Sequence, residues 1–186
     1  VMQALCAWMI KEVYINHIEL ASKIMNGEYE CNISNEIWVA AVQYMVDNIE
    51  LFNFNVDKMH MIWIVYGGHI RNRVSNDKLI LSWLKLILPK YSGGELQLYR
   101  GECQFLYEQG LIGFCWTPKK EVAEMFARGL NAVESGGVLL TAKVAAEAIL
   151  SEPNSHSANW LGESEFTCDP TKISNIEVLH RYPKSY

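Results

Sequence analysis

The feature that most limits how this chain can fold is a change of pattern at Tyr91-Ser92-Gly93-Gly94. Before it, apolar residues recur at steps of three and four, the period of a helix. After it, they fall into short runs between turn residues, which suits strands. From Met2 to Met25, residues such as Leu5, Met9, Ile15, Ile18 and Ala21 mark one helix that ends at Gly27. A second opens at the capping candidates Ser34 and Asn35 and carries Ile37, Ala41, Tyr44, Met45 and Ile49 on one face. A third spans Val56 to Tyr66, with Gly67-Gly68 expected to stop it. A fourth starts among Ser75, Asn76 and Asp77 and runs through Leu79, Trp83 and Leu86 until Pro89.

Beyond the punctuation, Leu96 to Arg100 reads as a strand, Cys103 to Gln109 as a short helix and Gly113 to Trp116 as a strand. Thr117 and Pro118 form a helix start, with Val122, Met125 and Phe126 as its buried stripe. Strands follow at Val138 to Val144, Glu163 to Cys168 and about Ile176 to Tyr182, with a polar loop from Ser151 to Leu161. The expectation is an α+β fold: a helical lobe over 1–92 packed on a mixed core over 95–186. At 186 residues and 50% hydrophobic composition, the chain suits one compact two-lobed domain.

The acidic residues outnumber the basic ones, 21 to 16, which disfavours non-specific binding of nucleic acid. Cys6, Cys31, Cys103, Cys115 and Cys168 are odd in number and show no CxxC spacing, so reduced thiols are expected. That points to a cytoplasmic place of action or to delivery into a target-cell cytosol. The five histidines lack HExxH or finger spacing, so no metal is expected. The apolar first ten residues have no positive flank and are cut by Lys11-Glu12, so neither a leader nor a membrane partner is expected. Val1 is not a natural start, and an upstream segment is expected to be missing.

Three pieces of the second half carry chemistry in order: Tyr99-Arg100-Gly101, Cys115-Trp116-Thr117 and Glu163-Ser164-Glu165. Arg100 ends a strand, where a guanidinium offers forked donors suited to a diphosphate and Gly101 leaves room for a ligand. Glu163 and Glu165 lie two apart on an expected strand. Both carboxylates then share a face, about 7 Å apart, and the like charges raise one pKa. Each piece alone also fits a plainer role: an ion-paired arginine, a capping threonine, core aromatics, a solvated acidic pair.

Together, over about residues 96–170, they resemble the Arg, Ser-Thr-Ser, Glu-x-Glu class of ADP-ribosyltransferases, which includes clostridial binary toxins and arginine-modifying enzymes. The resemblance implies a mainly antiparallel sheet core that binds NAD as substrate and transfers ADP-ribose to a macromolecular target. It makes Glu165 the catalytic residue, with Glu163 orienting or deprotonating the acceptor. Arg100, Gly101, Cys115, Trp116, Thr117, Phe126 and Arg128 become NAD-binding positions, Arg128 as a second arginine for the phosphates. Cys115 stands where the family has serine, which weakens hydrogen bonding there. The loop from Asn154 to Gly162 corresponds to the target-recognition segment, with Trp160 as its anchor. Protein arginine leads as acceptor, with RNA or DNA, or an inactive regulatory module, as alternatives. By analogy with toxins, a neutralising antitoxin or immunity partner is expected.

Overall fold

The computed structural model describes residues 15–185. Cys6 and the expected helical stretch from Met2 to Tyr14 lie outside them. Helix α1 (His17–Met25) begins after Asn16, whose Oδ1 accepts from the N–H groups of Ile18 and Glu19, both at 3.0 Å. Helices α2 (Asn35–Asp47), α3 (Val56–Val74) and α4 (Asp77–Ile87) complete the lobe. Asn55 and Asn76 cap α3 and α4 through their side chains.

Contrary to expectation, α3 runs straight through Gly67-Gly68 and ends at Ser75, whose φ is +47°. Gly67 is there for packing. A Cβ on it would lie 2.9 Å from the Trp63 indole, so the missing side chain lets that ring lie on the helix. The lobe core is formed by Leu20, Ile24, Trp38, Met45, Ile70, Ile80, Trp83 and Ile87, all without exposed surface. Each buried aliphatic side chain among them contributes about 1.5–3 kcal/mol.

The second half is α+β and its two small sheets are antiparallel. In the first, β1 (Leu96–Cys103) pairs with β3 (Gly137–Val144), which pairs with β6 (Glu177–Tyr182). In the second, β5 (Phe166–Cys168) lies between β2 (Cys115–Trp116) and β4 (Ile149–Ser151). The sheets are tied together at one place. Tyr99 N donates to Thr117 O at 2.7 Å and Thr117 N to Tyr99 O at 2.9 Å.

Short helix α5 (Gln104–Glu108) follows β1, and α6 (Lys120–Arg128) lies across β1 and β3. Its start and its buried face differ from expectation. Thr117 does not cap it, the helix opening three residues later. Its buried residues are Ala123 and Ala127, while Met125 is 51% exposed. The cause is close packing. A Cβ on Gly101 or Gly137 would strike the α6 backbone at Ala123 or Ala127, so only glycine beneath and alanine above allow the approach. Gly101 thus makes room for a helix.

The two halves share a boundary. Phe114 is buried in the helical core, Trp63 Nε1 donates to Thr167 Oγ1 at 3.0 Å, and Lys85 pairs with buried Asp169 at 3.0 Å. Among the described residues no helix is long and apolar enough to cross a membrane.

Candidate active site

Strand β1 is longer than expected, and the extension matters. Arg100 and Glu102, two apart, fall on the same face of it. The Arg100 guanidinium donates from Nε to Glu102 Oε2 at 2.8 Å and from Nη1 to the Cys115 carbonyl at 2.6 Å; Nη2 pairs with Glu102 Oε2 at 2.8 Å. Two hydrogen bonds and one ion-pair contact hold it in place. The guanidinium rests against Gly113, where a Cβ would collide with it.

Glu102, 3% exposed, also accepts from the N–H groups of Gly113 and Cys103, each at 2.9 Å. Burial alone would raise its pKa. The Arg100 charge and those backbone donors overcome this and hold it below the ordinary glutamate value. Arg100 is therefore a braced, ion-paired arginine, and its partner Glu102 escaped the motif reading. The alternation of β1 was the available signal.

The second sheet supplies Cys115, Trp116 and Thr117. Trp116 is 1% exposed and belongs to the sheet core while one side of it borders the cleft. Thr117 Oγ1 donates to the Glu163 carbonyl at 2.6 Å and accepts from Lys119 N at 3.1 Å. Its hydroxyl thus ties the second motif to the third. Lys119 adds a bond from Nζ to the Gly162 carbonyl at 2.7 Å.

The third motif does not sit on a strand. Strand β5 begins only at Phe166, and Ser164 has φ +50°, a left-handed conformation that breaks the extended alternation. Both carboxylates still line one cleft, brought there by a turn instead of a pleat. That cleft, of about 160 Å³, is also lined by Tyr99, Arg100, Gly101, Cys115, Trp116, Thr117, Val122, Ala123, Phe126 and Asn131. It lies where β1 meets β2 under α6.

Glu165 is the most perturbed acid of the site. Its Oε1 is sealed from solvent and has no hydrogen-bond partner. Burial raises its pKa to about 7, against the opposing pull of the Cys115 thiol and Arg100 and with help from the Glu163 charge. Burial also raises Glu163, with His156 opposing. The Cys115 thiol is pushed far up by burial and next by Glu165, so it stays protonated. An un-ionised thiol beside a carboxyl is a weak donor to it, not a nucleophile.

Two expected positions do not join the cleft. Arg128 is exposed on the last turn of α6, away from the lining. Trp160, 81% exposed, ends a wide helical turn (His156–Trp160) and faces a separate shallow depression with Met61 and Asn159. The polar loop before β5 is thus a built turn, and Ser157 within it is fully buried. Nothing in the local sequence distinguished that serine from its polar neighbours. The four described cysteines are unpaired, and among the described residues no three His, Cys, Asp or Glu are grouped to hold a metal. Compared with known protein families, curated proteins and solved structures, the chain matches none.

Proposed function

We propose that this protein is a mono-ADP-ribosyltransferase that cleaves NAD at its nicotinamide bond and transfers ADP-ribose to a macromolecular target. The observation that carries the reading is the meeting of Arg100 and Glu165, with Cys115, Trp116 and Thr117 between them, in one cleft. They come from three separate stretches of chain and resemble, in order, the Arg, Ser-Thr-Ser and Glu-x-Glu pieces of the ADP-ribosyltransferase class, with Cys-Trp-Thr at the middle one.

The site chemistry fits NAD as substrate. Glu165 lines the cleft, and its carboxylate is the acceptor for a hydroxyl of the nicotinamide ribose. Trp116 and Phe126 offer aromatic walls for the nicotinamide, and Arg100 brings a guanidinium charge to the cleft for a phosphate oxygen. As the C1′–N bond breaks, its electron pair leaves with nicotinamide and positive charge grows on the ribose. An ionised Glu165 in a poorly solvated cleft stabilises that oxocarbenium-like state far more than it would in water. Glu163 takes the proton of the attacking acceptor.

Trp160, exposed beside the acidic segment, is the anchor for the target in this reading. A neutralising partner would act by covering the same face. Cytosolic action, on the protein's own cell or a target cell, belongs to the same proposal. Incubation of the protein with NAD labelled in its adenylate half and a cell lysate tests the transfer. Label lost to protease identifies a protein acceptor, label lost to nuclease an RNA or DNA acceptor, and no macromolecular label contradicts the transfer.

A further inference from the structure

The segment that carries the two carboxylates lacks strand partners, because β5 starts only at Phe166. Its backbone N–H groups must find acceptors elsewhere. All three find the same residue. The Ser157 carbonyl accepts from Glu163 N at 2.9 Å and Ser164 N at 3.1 Å, and Ser157 Oγ accepts from Glu165 N at 2.8 Å. Ser157 has no exposed surface, and its own N–H is fixed by Asn154 Oδ1 at 2.9 Å.

We propose that Ser157 is a positioning residue that acts through the backbone of residues 163–165 to aim both carboxylates into the cleft. The two bonds to its carbonyl would form with any residue. The bond from Glu165 N requires a side-chain acceptor, and serine is small enough to supply one in a sealed space. Alanine would leave that N–H without an acceptor. An unmet buried donor is satisfied either by entry of water or by a swing of the segment. Both bring solvent to the Glu165 carboxyl, which is perturbed because solvent is absent.

The effect on turnover rests on the transferase reading above; the effect on geometry does not. The test compares the whole wild-type chain with Ser157→Ala in three measurements: the Glu165 carboxyl titration by carbon-detected NMR, kcat and KM for NAD cleavage, and the melting temperature. The expected result is a folded variant whose Glu165 titrates closer to an ordinary glutamate, with kcat down roughly 10- to 100-fold and KM for NAD little changed. A folded Ser157→Ala with an unaltered Glu165 titration overturns the proposal.

Should that variant fail to fold, Asn154→Ala replaces it, since it loosens Ser157 while leaving the hydroxyl in place. A smaller shift in the same direction supports the proposal, and no shift overturns it. A wild-type protein that leaves NAD intact sinks the transferase reading, while the titration comparison still decides the role of Ser157.

Discussion

Arg100 and Glu165 line the same cleft although sixty-five positions separate them in the chain. The meeting depends on the bridge between Tyr99 and Thr117, which brings the first sheet against the second. Arg100 is fixed by Nε and Nη2 against one Glu102 oxygen and by Nη1 on the Cys115 carbonyl, a spread of contacts that a single ammonium cannot reproduce. Arg100→Lys is therefore expected to lower kcat/KM for NAD. Loss of one charge-assisted hydrogen bond, about 1.5–3 kcal/mol, corresponds to roughly a 10- to 100-fold fall in steady-state kinetics. An unchanged kcat/KM would place NAD elsewhere.

The pKa of Glu165, about 7, sets the expected pH dependence. In the proposed mechanism the ionised form stabilises positive charge on the ribose, so cleavage of subsaturating NAD should rise with pH through about 7 and then level off. A rate that falls over that interval would assign Glu165 a proton-donating role instead.

The same shift has a consequence for stability. The folded pKa lies above the unfolded one, so the stabilising contribution is complete below the ordinary glutamate value and is lost as pH rises through about 7. Glu165→Gln removes that penalty. It should stabilise the protein at pH 8 by up to about 3 kcal/mol in denaturant titrations, the equivalent of the full shift at 1.36 kcal/mol per pH unit, and leave it nearly unchanged at pH 4. An equal effect at both pH values would mean that burial of the charge is not the cause.

Much of the architecture was legible in the sequence. The switch at Tyr91-Ser92-Gly93-Gly94 marks the change from helices to strands, and β3 and β6 fall close to their expected bounds, whereas β4 was not expected and β5 starts three residues late. What misled was glycine. Gly67 read as a stop, whereas it receives the indole of Trp63 one turn earlier; Gly101, read as ligand space, also receives the backbone of α6, further along the chain. The acidic pair was found for a partly wrong reason, since the left-handed Ser164 replaces the strand that alternation suggested. Glu102 was within reach of the β1 alternation. Ser157 was not, because its partners are backbone groups that any sequence would have.

Close packing of α6 on β1 makes a direct prediction about Gly101. Gly101→Ala pushes a methyl into the α6 backbone and should destabilise the fold by about 1–3 kcal/mol in chemical denaturation. It should also displace Phe126 at the cleft wall. A neutral substitution would show that the helix moves freely over the sheet.

On the proposed reading Trp160 serves target recognition and not NAD cleavage. Because 81% of its surface is exposed, Trp160→Ala should change stability by less than about 0.5 kcal/mol. It should also leave nicotinamide release intact while transfer to the lysate target drops. Loss of both activities together would place the indole in the NAD site rather than at the target.

Release of nicotinamide from NAD by the purified protein, followed by chromatography beside Glu165→Gln, addresses the central claim most directly. Time-dependent release by the wild type, with loss of at least two orders of magnitude in a folded Glu165→Gln, is the result expected of an electrostatic catalyst removed from its site. Release that persists in the variant, or a wild type that leaves NAD intact, would contradict the assignment.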